Sequence, residues 1–314
     1  MASGLAMDGC ATFAPRQQPG EDEWIVVTGG GSGIGAMLVR HFAERGFRVL
    51  TCGRRSAALE ATRASCSAVA GRVATVACDV ATEAGRAMLA TALPADAALR
   101  LLVQNAAVGD PSSLERLDLD HWEYALRVNV TAPLFLVQAL LGPLRRGRGR
   151  ILHLGTGVAF RPQQGTATYG ITKAAFFRLY QQLNADLSTT GIVAGSLSPG
   201  IVDTEGVQDH VAKARHQQLP HVAFFDQAFR DGRTTDPKQL MRLFDLALAA
   251  DDERFAGHEW SLRDLTSETA GQGSTPPAPV LSRGGGLVAA AALGLAAGVG
   301  LGWLAGRQGM RGRL

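Results

Sequence analysis

The chain has 314 residues, 46% of them hydrophobic and 19% charged. That composition supplies a packed core for one large domain or two small ones and excludes a wholly disordered chain. It carries 31 basic and 28 acidic residues, but Arg283, Arg307, Arg311 and Arg313 lie in a terminal stretch without acids. The body is therefore near neutral, and no broad basic face for nucleic acid is expected.

Residues 1–23 lack apolar periodicity and contain Pro15, Pro19 and the acidic run Glu21-Asp22-Glu23. They have neither the basic start nor the apolar run of a secretory signal and read as a mobile leader. From Trp24 to Leu265, short β-rich runs alternate with helix-length stretches. The runs are Trp24 to Thr28, Arg48 to Cys52, Val73 to Ala77, Leu99 to Val103, Arg150 to Leu154 and Ile192 to Leu197. Between the first two, Ile34, Leu38, Phe42 and Ala43 recur at helical spacing, and Gly46 ends the run. Such alternation predicts a single α/β domain over 24–265, a parallel sheet doubly wound with helices.

Residues 266–282 are rich in Ser, Thr, Gly and Pro, the composition of an extended linker. Leu287 to Ala305 then runs for 19 residues without a charge. A helix rising ~1.5 Å per residue over that length nearly matches a hydrocarbon core of ~30 Å. Residues 283–314 are thus expected to form a C-terminal transmembrane helix with a short basic tail. The catalytic domain would stay in the cytosol, the alternative being a soluble cytoplasmic protein. Gly294, Gly298, Gly302 and Gly306 repeat at the spacing that lets helices approach closely. Cys10, Cys52, Cys66 and Cys78 form no C-x-x-C pair, so neither a disulfide framework nor a metal site is expected.

Thr28-Gly-Gly-Gly-Ser-Gly-Ile-Gly35 follows the first strand and opens the first helix. Its glycines, with Ser32 and Ile34 between and after them, let the backbone approach a pyrophosphate that rests on the helix N-terminus. The second strand runs into Cys52-Gly53-Arg54-Arg55 with no acid to bind a ribose 2′-hydroxyl. This favours NADP(H), with Arg54 first and Arg55 second as ligand of the 2′-phosphate. Asp79, after the third strand, could accept from the adenine amino group or cap a helix. Tyr169 and Lys173 stand four apart, one turn on a helix face, in a chain with three tyrosines and three lysines.

With these motifs in this order the chain resembles the short-chain dehydrogenase/reductase family over nearly all of Trp24 to Leu265. The glycine loop fits T-G-x-x-x-G-x-G, Asp79-Val80 falls at the adenine pocket, and Gln104-Asn105-Ala106-Ala107 stands where the family has N-N-A-G. Asn129 supplies the helix asparagine, Tyr169 and Lys173 the Y-x-x-x-K pair. Ser198-Pro199-Gly200-Ile201-Val202-Asp203-Thr204 matches the stretch that contacts the nicotinamide. The resemblance implies a Rossmann fold, hydride transfer between NADP(H) and a ketone or aldehyde, and self-association into a homo-oligomer. Thr28, Gly29, Ser32, Gly33, Ile34, Gly35, Asn105, Ala106, Pro199, Gly200, Val202 and Thr204 would hold cofactor. Thr156 stands at the serine position and keeps its hydroxyl, while Ala107 replaces a glycine.

By the same resemblance Tyr169 exchanges the proton, made acidic by the Lys173 ammonium, and Lys173 also holds the nicotinamide ribose. Thr156 positions the carbonyl oxygen, and Asn129 supports a water linking Lys173 to solvent or satisfies a helix backbone. Substrate choice should fall to Glu205 to Thr235, where Phe224, Phe225 and Phe229 suggest a lid over an apolar substrate. His210, His216 and His221 lack metal spacing and are expected to face solvent. Residues 199–204 with Val207-Gln208 look somewhat like the sepiapterin/benzil reductase branch. A diketone or pteridine reductase is therefore an alternative, as is a membrane-tethered NADP-binding protein that has lost turnover.

Overall fold

The computed structural model describes residues 23–269. The chain divides into a unit of residues 1–274 and a second of residues 275–314. Residues 1–22, the proposed linker beyond 269 and the 287–305 span lie outside the described residues, while Glu23, expected in the leader, already pairs in the first strand. In chain order the elements begin β1 (Glu23–Thr28), α1 (Gly33–Glu44), β2 (Arg48–Gly53), α2 (Ser56–Ser65) and β3 (Val73–Ala77). Next come α3 (Glu83–Thr91), β4 (Ala98–Gln104), α4 (Leu119–Leu126), α5 (Ala132–Ala139), α6 (Leu141–Gly147) and β5 (Arg150–Leu154). They are followed by α7 (Ala167–Asp186), β6 (Val193–Leu197), α8 (Glu205–His216) and α9 (Val222–Arg230). The last are α10 (Pro237–Ala249), α11 (Asp252–Gly257), β7 (Glu259–Trp260) and α12 (Leu262–Thr269).

The strands form one parallel sheet in the order β3-β2-β1-β4-β5-β6-β7. Because parallel strands are covered on both faces, their apolar runs are continuous rather than alternating. Ile25, Val26 and Val27 of β1 are all fully buried. One face packs Leu50, Leu102 and Ile151 against Leu136 and Leu183, and the other packs Val27 and Leu152 against Leu38, Phe42, Leu243 and Phe244. The strand order reverses between β1 and β4, and it is there that the carboxyl ends of strands open a crevice for ligands.

All six expected strands are present, with β6 beginning one residue later, at Val193. A seventh, β7, escaped the sequence pattern because two residues carry no period. The stretch read as linker from 266 begins inside a helix. At its start the Ser261 amide donates to Asp264 Oδ2 at 2.7 Å, and the Asp264 amide closes a turn onto Ser261 O at 3.0 Å. So nucleated, α12 continues to Thr269. Among the described residues no single helix is long and apolar enough to cross a membrane.

Candidate active site

The glycine loop is held by side chains that serve backbone. Thr28 Oγ1 accepts from the Asn105 and Ala106 amides at 3.1 and 3.0 Å, and Asn105 Nδ2 donates to Thr28 O at 2.8 Å. These bonds lock the end of β1 to the end of β4. A Cβ on Gly35 would stand 2.1 Å from Gly29 O, so only glycine lets α1 rise so close beneath the loop. Gly29 adopts φ +73° and Gly33 φ +52°, the left-handed region. The exposed Ser32 stands at the N-terminus of α1, and Ile34 packs into the core below.

A cavity of about 260 Å³ opens at this crevice. Of the expected cofactor residues, Gly29, Ser32, Arg54, Arg55, Asp79, Val80, Asn105 and Ala106 line it. Thr28, Ile34 and Gly35 build the loop instead. Asp79 Oδ1 accepts from the Ala81 amide at 2.9 Å in the turn ahead of α3, whose cap is Thr82, while Oδ2 accepts from the Tyr124 hydroxyl at 3.0 Å. Tyr124 Oη in turn accepts from Arg54 Nη1 at 3.0 Å. Burial and the Asp79 charge push the Tyr124 phenol above its ordinary value. Sequence reasoning missed Tyr124; its one signal is a polar ring on a helix face that α4 turns toward the crevice. Arg55 pairs with Glu205 across 3.7 Å at the surface.

Tyr169 and Lys173 share a face of α7, with Lys173 Nζ 5.7 Å from the centre of the Tyr169 ring. The ammonium donates to Leu154 O at 2.8 Å rather than to the phenol. Burial acts on both groups. It raises the Tyr169 phenol to about 12 and lowers Lys173 to about 8. Gly109 packs on the tyrosine, and a Cβ there would lie 2.6 Å from the ring. This loop residue also went unread, since its need for smallness arises only from the tertiary contact.

Thr156 opens the short turn Gly157–Ala159, its Oγ1 accepting from the Val158 amide at 3.4 Å. That leaves its own proton free to donate. Asn129 lies in a π-turn, Arg127–Thr131, between α4 and α5. Its Oδ1 accepts from Val108 N at 2.9 Å, and its Nδ2 donates to Val108 O at 2.6 Å and Thr172 Oγ1 at 2.9 Å. The side chain thus joins the crevice wall to α7 one residue before Lys173, rather than reaching Lys173 through its own amide.

Pro199 to Thr204 crosses above the loop, where the Thr204 methyl lies 3.3 Å from the position of a Cβ on Gly33. Gly200 has φ +72°, and Thr235 Oγ1 donates to Pro199 O at 2.7 Å; Val202 is buried. Thr204 caps α8, accepting from Val207 N at 3.3 Å. The histidines beyond do not all face solvent as expected. His221 is buried and donates from Nδ1 to Gln164 O at 2.9 Å, while its Nε2 stands 3.1 Å from that of His210. Only His216 is fully exposed. Burial lowers the pKa of both paired rings. No cluster of three metal-ligating side chains occurs among the described residues.

A parallel sheet with a glycine loop at its switch point, and a Tyr–Lys pair on the next wall, defines an NAD(P)-dependent oxidoreductase acting on CH–OH and C=O groups. The chain belongs to the short chain dehydrogenase family, which matches residues 23–215. It is 28% identical over 251 residues to a short chain dehydrogenase of Pseudocercospora fijiensis, covering 78% of this chain and 81% of that one. It is 34% identical over 183 residues to the rhamnolipids biosynthesis 3-oxoacyl-[acyl-carrier-protein] reductase of Pseudomonas aeruginosa, covering 56% of this chain and 71% of that one. Among solved structures, the Pseudomonas aeruginosa RhlG/NADP active-site complex superposes with a TM-score of 0.63 at 28% identity, covering 79% of this chain and 94% of that chain.

Proposed function

We propose that the protein is an NADPH-dependent carbonyl reductase acting on a lipophilic ketone or aldehyde. The observation that carries this reading is the Tyr169–Lys173 pair on α7, Lys173 buried and Tyr169 half-buried against the Gly109 loop that continues the crevice wall. The crevice fits a dinucleotide: Gly29, Gly31 and Ser32 of the glycine loop line it at the start of α1, and Arg54 and Arg55 stand at its β2 end. The related reductase reported as a complex with NADP supports the same cofactor. When bound, NADPH supplies the hydride.

The residues of the chain supply the rest. Tyr169 keeps its proton at neutral pH and can pass it to a developing alkoxide, which is more basic than a phenolate. Lys173, at about 8, is still charged at pH 7, and its two N–H groups not used on Leu154 O are available to ribose hydroxyls. Thr156 can give its free proton to the carbonyl oxygen, which argues against lost turnover. Phe225 packs on His210 and His221, and Phe224 is 48% exposed beside it, an apolar cover suited to a lipophilic substrate. The name of the 3-oxoacyl reductase relative points the same way.

Tyr169→Phe tests the reading. Carbonyl reduction should fall by ~10²–10⁴-fold, the usual worth of a positioned acid, with NADPH affinity by fluorescence titration unchanged. Reduction at the parent rate would overturn it. We further propose a homo-oligomer, for which the exposed Leu134, Phe135 and Ile171 on α5 and α7 supply apolar surface. We also propose C-terminal membrane attachment through 287–305 with the catalytic domain in the cytosol. The full chain should sediment with membranes and a chain ending at Ser282 should not; two soluble proteins would refute attachment.

A further inference from the structure

Two cysteines face the nucleotide crevice. Cys52 lies on β2 opposite Val76 of β3, so Cys78, two residues on, shares its face of the sheet. Past β3 the ladder continues, the Cys78 amide donating to Gly53 O at 3.0 Å. Both side chains pack with Leu50 and Val80, and both line the cavity beside Arg54 and Asp79. Cys52 has no exposed surface, whereas Cys78 retains 7%. The thiols act on each other: Cys52 serves as donor, which raises its own pKa well above normal and lowers that of Cys78 despite burial and the Asp79 charge. The third described cysteine makes a contrast. Cys66 lies on the opposite face of the sheet, donates to Thr62 O at 3.4 Å, and is raised by burial.

We propose that Cys78, with Cys52 as its thiol partner, is a peroxide-oxidisable site within the nucleotide crevice, whose oxidation excludes NADP(H) and which bound NADP(H) shields. The inference rests on the crevice being the NADP(H) site. The Cys78 thiolate sulfur attacks one oxygen of hydrogen peroxide; the S–O bond forms as the O–O bond breaks. Sulfur is oxidised to the sulfenic acid and peroxide is reduced to hydroxide, which takes a proton to become water. The Cys52 sulfur then attacks the sulfenic sulfur, forming S–S and releasing water. Two equivalents of an external thiol restore both cysteines. The added oxygen, or the drawn-in pair, alters the wall between Asp79 and Arg54 where the nucleotide packs. Among the described cysteines Cys78 alone joins a lowered pKa to residual exposure at the cavity, the two requirements of such a site.

The test uses the full chain carrying Cys10→Ser, which removes the cysteine outside the described residues. Protein is treated with hydrogen peroxide with and without saturating NADP+, quenched with dimedone, and mapped by peptide mass spectrometry. A dimedone adduct on Cys78 or a Cys52–Cys78 disulfide, suppressed by NADP+, is the expected result; dithiothreitol added before dimedone should abolish the adduct and reduce the disulfide. NADPH affinity should fall at least about tenfold on oxidation, the size of effect of one misfitted group. Cys78→Ser, or Cys78→Ala where serine disturbs folding, should keep its own untreated affinity through the same treatment. Unmodified Cys78, equal modification of Cys66, or unaltered affinity after Cys78 is oxidised would each overturn the proposal. Untreated protein that fails to bind NADPH sinks the cofactor reading together with this one. Failure seen only after untreated protein has bound NADPH sinks this one alone.

Discussion

At the β1–β4 end of the sheet the site is made by satisfying backbone: Thr28, Asn105 and Asp79 each spend a side chain on main-chain amides or carbonyls, and the glycines set where the loop can pass. At the β5–β7 end the site is made by withholding water. There Tyr169, Lys173 and His153 are all shifted chiefly by burial, His153 down to about 3 beneath the stacked ring of Phe176. Glu259, under Gly155, is raised to about 7 by burial, with only Ser196 favouring its charge. The two ends therefore fail differently. The first is sensitive to atoms added where the chain has none to spare, the second to pH and to whatever covers it.

The largest effect that separates the ends is expected at Gly35. Gly35→Ala forces a methyl toward Gly29 O, a backbone atom that cannot swing away. Overpacking of this kind costs ~1–3 kcal/mol, which is about 5–150-fold in affinity. NADPH binding by fluorescence titration should weaken by that amount, while the apparent pKa values in the pH–rate profile at saturating NADPH stay where they were. A shift of that profile would mean that the two ends are coupled after all.

Next in size is a test confined to the second end. The Glu259 pKa rises from 4.5 to about 7 in the folded state. The folded protein thus binds more protons than the unfolded chain across that window, and this group's contribution to stability falls as pH rises through it. At ~1.4 kcal/mol per pH unit, discounted for partial exposure, the loss is on the order of 2 kcal/mol by pH 7. Glu259→Gln removes it. The variant should gain on the parent protein progressively from pH 4.5 to 7 in denaturant midpoints and hold the gain above pH 7. His153 acts with the opposite sign: its depressed pKa lets stability rise from pH 3 toward 6.5, a trend the parent masks and the variant exposes. A constant offset between the two proteins across pH 4–8 would show that the carboxyl is not buried as placed.

The same division marks what the sequence made legible. The glycine loop, the absence of an acid at Cys52 to Arg55, and the Tyr169–Lys173 pair are local: each is a spacing that backbone geometry requires, and the structure assembles them at one sheet edge. Six strands announced themselves by continuous apolar runs. What stayed unread depends on partners far along the chain. Tyr124 matters because its hydroxyl meets Asp79 and Arg54 from a different helix. Gly109 is constrained by a ring sixty residues on, and the buried His221 bonds Gln164 O from 57 residues further along the chain. Lys173 lies on the Tyr169 face of α7 as the spacing requires, while its bond to Leu154 O follows only from the fold. Position follows from pattern; the balance between charge and desolvation follows only from what surrounds the group.

The smallest predicted effect asks whether the cover over the second end is a separate part. Lys213 on α8 bonds Asp110 at 2.9 Å, joining the cover to the loop that carries Gly109, and also pairs with Asp209 of its own helix at 2.8 Å. Both carboxylates hold the ammonium above its ordinary pKa. All three side chains are roughly half exposed, so the link to Asp110 is worth only ~0.2–1 kcal/mol and weakens further with salt. Lys213→Met keeps the aliphatic stem and removes the charge. If α8 acts by closing over substrate, KM for the carbonyl should rise by about 1.5–5-fold, the equivalent of that energy. NADPH affinity should be unchanged, because Lys213 touches nothing in the nucleotide cavity. Raising ionic strength should then raise KM in the parent more than in the variant, since the variant has no pair left to screen. Equal salt dependence in the two proteins would remove Lys213 from the closing of the cover and leave the Gln217–Pro111 hydrogen bond, at 2.9 Å, as the contact that seats it.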